Sequence, residues 1–213
     1  MRSTLLYVLF LLNVQFAFCQ WENLNTGLTD DLTGVVFFGN NGLVSGKKGL
    51  YYTSNGGEGA SSWKRFEITD GSENANIYNN TVFSHCYSDI TGSPSEGVVF
   101  ACGQNALTKQ AIIMKIELPS LNYQIIYKGE ENSNLNQITY SEYNRSYFAV
   151  GENGLIVTFT SEGVQRTKNL GTDNFLSVAF YQSRCKIATT GKILYFEYFD
   201  LGYNFVPVLT PGS

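Results

Sequence analysis

Few side chains in this sequence are of a type that does chemistry, and their spacing scatters them. Two pairs of adjacent carboxylates occur, Asp30-Asp31 and Glu130-Glu131. General acid–base work needs two carboxyl groups that face one reacting bond. Neighbours along a strand point to opposite faces, so both pairs read as turn or solvated surface. After Arg2 the arginines are Arg65, Arg145, Arg166 and Arg184, too far apart in sequence for a local anion clamp. His85 is the sole histidine, which disfavours a Ser-His-Asp triad. It adjoins Cys86, so the two side chains would leave a strand on opposite faces. With no Cys-x-x-Cys pair elsewhere, a zinc site is not expected. Asp30, Asp31, Asp70 and Glu73 could offer oxygen to calcium, but no Asp-x-Asp-x-Asp-Gly run organises them. The nucleophile elbow and the phosphate-binding loop are missing as well. No catalytic residue, metal or cofactor is expected.

Composition narrows the class further. The 213 residues carry a net charge of −4 and a pI near 5.0, with only 15% charged residues. A nucleic-acid binder should show a basic stripe, so no nucleic-acid partner is expected. Hydrophobic residues make up 43%, aromatics 15%, and there are 21 glycines. Such a chain favours short strands and tight turns.

Residues 1–19 have the layout of a secretory signal peptide: Arg2, an apolar stretch over 5–12, and a mixed segment ending at Cys19. The apolar run is much too short to span a bilayer. A secreted or extracytoplasmic (periplasmic or surface) protein beginning near Gln20 is expected, with no membrane span. Cys86, Cys102 and Cys185 then remain. A cross-strand disulfide between Cys86 and Cys102, which lie in consecutive expected strands, and three buried thiols are both open readings. Two Asn-x-Ser/Thr sequons, at Asn79 and Asn144, would matter only in a glycosylating host.

The elements that must carry these residues are strands. Aromatic and β-branched runs alternate with Gly/Asn/Ser turns, giving expected strands at 33–38, 43–45, 50–54 and 64–68. Further sets follow at 81–86, 97–102, 111–117 and 123–127; at 137–141, 146–150, 155–160 and 164–168; and at 175–181, 186–189, 193–199 and 205–209. The second strand of each set ends in a glycine: LVSG at Gly46, FACG at Gly103, FAVG at Gly151 and ATTG at Gly191. The preceding strands also match (LTGVVFF, LNQITYS, FLSVAFY). The second unit is lengthened around 89–95 and 104–110. Four strands repeated every 40 to 57 residues is the pattern of β-propeller blades, whereas a β-sandwich predicts no self-similarity. The expected organisation is all-β and propeller-like, one domain over 20–210 and a tail at 211–213. Its roughly four blades of four antiparallel strands occupy about 24–68, 77–130, 134–170 and 174–210.

The first unit carries more than the period. Gly46-Lys47-Lys48-Gly49 is followed by a short strand, then Thr53-Ser54-Asn55-Gly56-Gly57, then Trp63. This resembles the Asp-box, or BNR, repeat, and is most similar to the photosystem II stability/assembly factor-like propellers. Asn55 stands where the box has Asp, and four extra residues delay the Trp. In the box the Asp or Asn side chain caps the turn between third and fourth strands, and the Trp packs between blades. The resemblance therefore implies structural roles for Thr53, Asn55, Gly56, Gly57 and Trp63. Asp boxes also occur in glycosidases, but the Arg-Ile-Pro-type motif of sialidases is missing here.

The function expected is a secreted, non-catalytic binding scaffold for a protein or surface polymer such as a glycan. Its surface is rich in Tyr, Asn and Ser, as adaptable recognition surfaces are. The competing expectations are an Asp-box glycoside hydrolase-like enzyme and an N-terminal module of a larger secreted adhesin or toxin. Four blades is the lower limit for a propeller, so a partner that completes the ring is a further expectation.

Overall fold

The structure is a computed structural model, and it describes residues 26–59, 61–89, 97–196 and 208–209. The expected signal peptide and tail lie outside the described residues, as does nearly all of the 89–95 insertion.

Each expected unit folds into one four-stranded antiparallel meander. The first blade contains β1 (Leu32–Phe38), β2 (Asn41–Gly46), β3 (Gly49–Thr53) and β4 (Lys64–Arg65). The second contains β5 (Thr81–Asp89), β6 (Gly97–Asn105), β7 (Ala111–Leu118) and β8 (Asn122–Lys128). The third contains β9 (Leu135–Ser141), β10 (Ser146–Gly151), β11 (Leu155–Thr160) and β12 (Gly163–Asn169). The fourth contains β13 (Phe175–Tyr181), β14 (Arg184–Thr189), β15 (Ile193–Phe196) and β16 (Val208–Leu209). Helix α1 (Glu73–Asn79) lies between the first two blades. Ser72 Oγ caps it by accepting from Ala75 N at 3.0 Å, and Ala75, Ile77 and Tyr78 turn inward. Among the described residues, no helix is long and apolar enough to cross a membrane.

Sequence explains the radial order of strands. Second strands are sandwiched on both faces, and SYFAVG of β10 is buried at every position. The outermost β12, GVQRTKN, is exposed from its second residue onward, and its charges protect an open strand edge.

The blades stack in chain order, with β1 and β2 against β5, β5 and β6 against β9, and β9 and β10 against β13. Each joint encloses its own apolar core. Leu43, Leu50, Phe83 and Met114 fill the first, Phe100, Leu135, Tyr147 and Phe159 the second, and Phe148, Phe175 and Ile187 the third. Phe66, Tyr78 and α1 seal the first core. The Tyr78 hydroxyl donates to Phe66 O and accepts from Leu50 N, and burial pushes its pKa up to about 12.

One backbone device recurs in all four blades. The first strand bulges near its start, at Thr33, Asn136 and Leu176, the second residue of the strand, and at Ser84, the fourth. The residue before the bulge faces a fixed position on the second strand: Leu32 with Gly46, Phe83 with Gly103, Leu135 with Gly151, and Phe175 with Thr189. The first three are the glycines the repeat singles out. A Cβ on Gly103 would run into Val82 O, one on Gly151 into Asn134 O, and one on Gly46 into the Asp30 carboxylate. The fourth assignment needs correction. Gly191 lies two residues beyond the equivalent position, Thr189, and a Cβ there would meet nothing within 4 Å.

The disulfide reading also fails on register. Cys86 pairs with Ala101 and Cys102 with His85 in the β5–β6 ladder. The two sulfurs therefore sit on opposite faces of the sheet. Cys86 lies in the first core near Leu43 O and Cys102 in the second near Leu135 O. Cys86, Cys102 and Cys185 are buried free thiols, and burial raises the pKa of all three.

Candidate functional site

The Asp-box-like residues form a turn, as the amide at Asn55 allows. Thr53 Oγ1 donates to Asn55 Oδ1 at 2.7 Å, and Gly57 N donates to the same oxygen at 3.4 Å. Gly56 and Gly57 have φ of 79° and 82°, the left-handed region that suits glycine. A side chain on Gly57 would fall 2.8 Å from the Trp63 ring. Trp63 packs edge-on to Phe37 at 5.8 Å within its own blade, not across a joint. This cluster fastens β3 to β4.

The titratable residues singled out by type are dispersed. Asp30 Oδ2 accepts from Lys48 N at 2.8 Å and from the Tyr51 hydroxyl at 3.1 Å. Asp31 pairs with Lys47 at 2.9 Å, which holds its carboxyl below the usual range. Asp70 caps Ser72 N at 2.9 Å and accepts from the Tyr123 hydroxyl at 2.9 Å, while Glu73 pairs with Lys128. Among the described residues no cluster of three or more His, Cys, Asp or Glu is placed to hold a metal. The arginines do not converge either. Arg65 lies on β4 with its guanidinium on Lys48 O at 2.8 Å, Arg145 and Arg166 belong to the third blade, and Arg184 to the fourth.

His85 holds one blade to the next. Its Nδ1 accepts from Ile138 N at 3.4 Å, and burial lowers its pKa. It belongs to a series that sequence reading overlooked. Thr33 Oγ1 donates to Phe83 O at 3.1 Å, Asn136 Nδ2 donates to Phe175 O at 2.8 Å, and Gln137 Oε1 accepts from Val178 N at 2.6 Å. In each case a side chain at or just after the bulge bonds to backbone in the next blade. The available signal was a polar residue inside an otherwise apolar first strand.

One set of residues gathers around open space between the second and third blades. The β8–β9 connection, the turn Glu152–Gly154 and the end of β12 enclose a groove of about 740 Å³. Glu130, Glu131 and Asn132 form one wall, and Glu152, Asn153 and Asn169 another. The loop is held from behind. Gln104 Nε2 donates to Ser133 O at 2.9 Å, Ala111 N to Ser133 Oγ at 2.9 Å, and Ser133 N to Lys109 O at 3.0 Å. Asn132 and Asn153 take left-handed backbone, φ 60° and 56°, and Asn153 Nδ2 donates to Asn132 O at 3.4 Å, spanning the groove. Tyr127 supplies an aromatic floor whose hydroxyl burial raises the pKa. Carboxylates, amides and an aromatic ring on a braced loop suit reversible hydrogen-bonded recognition. Of these residues, sequence singled out Glu130-Glu131, but nothing in it linked the pair to the Glu152–Gly154 turn.

No protein-family model matches the sequence, and no curated protein is matched by it. Among solved structures the chain is similar to the Cps50 (Swd1) β-propeller domain of Myceliophteria thermophila. The TM-score is 0.53 at 11% identity, over 80% of this chain and 59% of that one. The fold is propeller-like. The likeness concerns fold alone, and the match spans about three-fifths of that domain's length.

Proposed function

We propose that the chain is a secreted, non-catalytic propeller scaffold that binds a protein or a surface polymer through the rim groove between its second and third blades. The braced groove carries this reading. Three carboxylates, two lysines (Lys128 and Lys168), three asparagines and Tyr127 line one space, and rigid support lowers the entropy lost on binding. The propeller neighbour agrees with a binding role, since such rings present loops from a fixed frame. Export by residues 1–19 and descent from Asp-box propellers of the photosystem II factor type belong to the same proposal. The turn at Asn55 supports the second of these.

The test is binding of the exported protein to peptide and glycan arrays, followed by Glu131→Ala and Asn132→Ala. Both residues are exposed, so neither change should unfold the chain. Loss of each ligand contact should weaken binding by about tenfold, the equivalent of roughly 1.4 kcal/mol. Ligands retained at full affinity by both variants would remove the groove from the proposal. Turnover of a glycan would remove the non-catalytic reading.

A further inference from the structure

The three joints inside the chain follow one rule, and the two outermost blade faces are unused halves of it. Let the leading face of a blade be the one that meets the preceding blade. At the residue before the bulge, Phe83, Leu135 and Phe175 are all 0% exposed on leading faces, but Leu32 is 47% exposed. Two residues after the bulge, Cys86, Ile138 and Val178 are at most 3% exposed, but Val35 is 59% exposed. Residue type is kept while burial is lost, so the first blade is built as a follower with none of the described residues seated in front of it. Among the described residues nothing covers the fourth blade's trailing face either. Ala179, Tyr181, Ile193 and Tyr195 line a groove of about 600 Å³ there, with Arg184 and Lys186.

From these two faces we propose that a second copy of this chain docks head to tail, the trailing face of one fourth blade on the leading face of the other's first blade. The bulge residue identifies the match. In the first and third blades it reaches the carbonyl just before the next bulge, Thr33 to Phe83 and Asn136 to Phe175. In the fourth blade that position is Leu176, 47% exposed, and the group it would reach in a second copy is Leu32, equally exposed. An apolar pair replaces the polar strut. Two copies joined at both ends form a closed ring of eight blades, within the roughly four to eight that propellers use. Lys186 is the exception to the pattern. It occupies the row held by Leu43, Phe100 and Phe148 in the other blades, each 0% exposed. It pairs across the strands with Ala179, itself exposed, so in the joint its ammonium must reach the rim.

The full exported chain tests this by light scattering and cross-linking. The expected mass is twice that of one chain. Chains carrying Leu32→Cys and chains carrying Leu176→Cys should form a disulfide-linked dimer when mixed and oxidised, and neither alone should do so. The native thiols are buried and should not interfere. Val35→Asp should weaken the dimer by at least about a hundredfold, as an unpaired charge in an apolar joint does, while leaving the melt of the separate chain in place. Lys186→Leu should tighten it. A monomer at high concentration, a mass that keeps growing beyond two chains, or self-linking of Leu32→Cys alone would overturn the proposal. So would loss, with Lys186→Leu, of an acidic peptide captured by a monomeric chain, since that face would then serve a charged ligand.

Discussion

Replacing Gly151 and Gly191 by alanine separates two glycines that look alike in sequence. Both close a second strand, in FAVG and ATTG. Gly151 sits opposite the bulge of its blade, where an added Cβ would collide with Asn134 O. That neighbour is backbone, fixed by the first strand, so either the β9 bulge or β10 must move. Displacing packed backbone for one methyl costs about 1–3 kcal/mol. A chain of this size loses about 2–4 °C of melting temperature per kcal/mol, so Gly151→Ala should lower the midpoint by roughly 3–10 °C. Gly191 has open space around its Cβ position. There alanine restricts the unfolded chain and should leave stability unchanged or raise it by about 0.4–1 kcal/mol. Thermal melts by circular dichroism at one protein concentration measure both. Equal destabilisation by the two substitutions would refute the bulge argument, because it would mean the glycine is required by its place in the repeat and not by the carbonyl opposite.

Three further outcomes are expected. Cys86, Cys102 and Cys185 should be silent to a thiol reagent in the native protein and all titrate in denaturant, since burial raises each pKa; a disulfide in the mass of the unreduced chain would contradict the register. His85 is held neutral by burial, so its folded pKa lies below its unfolded value. The stability it supports is complete above the ordinary histidine range and falls as pH drops through that range to the folded pKa; melts of wild type and His85→Gln across this window should differ in slope, and parallel curves would remove the strut. Asn55→Ala should cost about 1 kcal/mol by removing the acceptor for Thr53 and Gly57, and Asn55→Asp should restore it; a melt that does not distinguish the two would deny the turn its cap.

The repeat was legible because strand formation depends on local pattern. LTGVVFF, LNQITYS and FLSVAFY became β1, β9 and β13, each the first strand of a blade. What stayed hidden depends on register, which a one-residue slip inverts. Cys86 and Cys102 sit in consecutive strands, yet the bulge at Ser84 places Cys102 opposite His85. The same kind of slip made Gly191 pass for the partner of the fourth bulge. The groove was half visible. Glu130-Glu131 stands out in the sequence as adjacent carboxylates, but only the stacking of the second blade on the third brings the pair to the Glu152–Gly154 turn.

The bulges connect these observations. An extra residue in a first strand tightens the local twist and turns one side chain out of the ladder. Thr33 and Asn136 at the bulges, and His85 and Gln137 just after them, use that displacement to reach the neighbouring blade. The glycines at 103 and 151 accommodate the backbone of the strand that bulges, and Gly46 at the same register position leaves room for the Asp30 carboxylate. Polar strut and glycine are thus two consequences of one backbone irregularity, and both lapse together in the fourth blade, where Leu176 replaces the strut and Thr189 the glycine. With an apolar residue at the bulge, Ser177 just after it and no glycine opposite, the fourth blade is specified for a different neighbour from those of the first three. The exposed Leu32 and Val35 are where an equally different neighbour is called for.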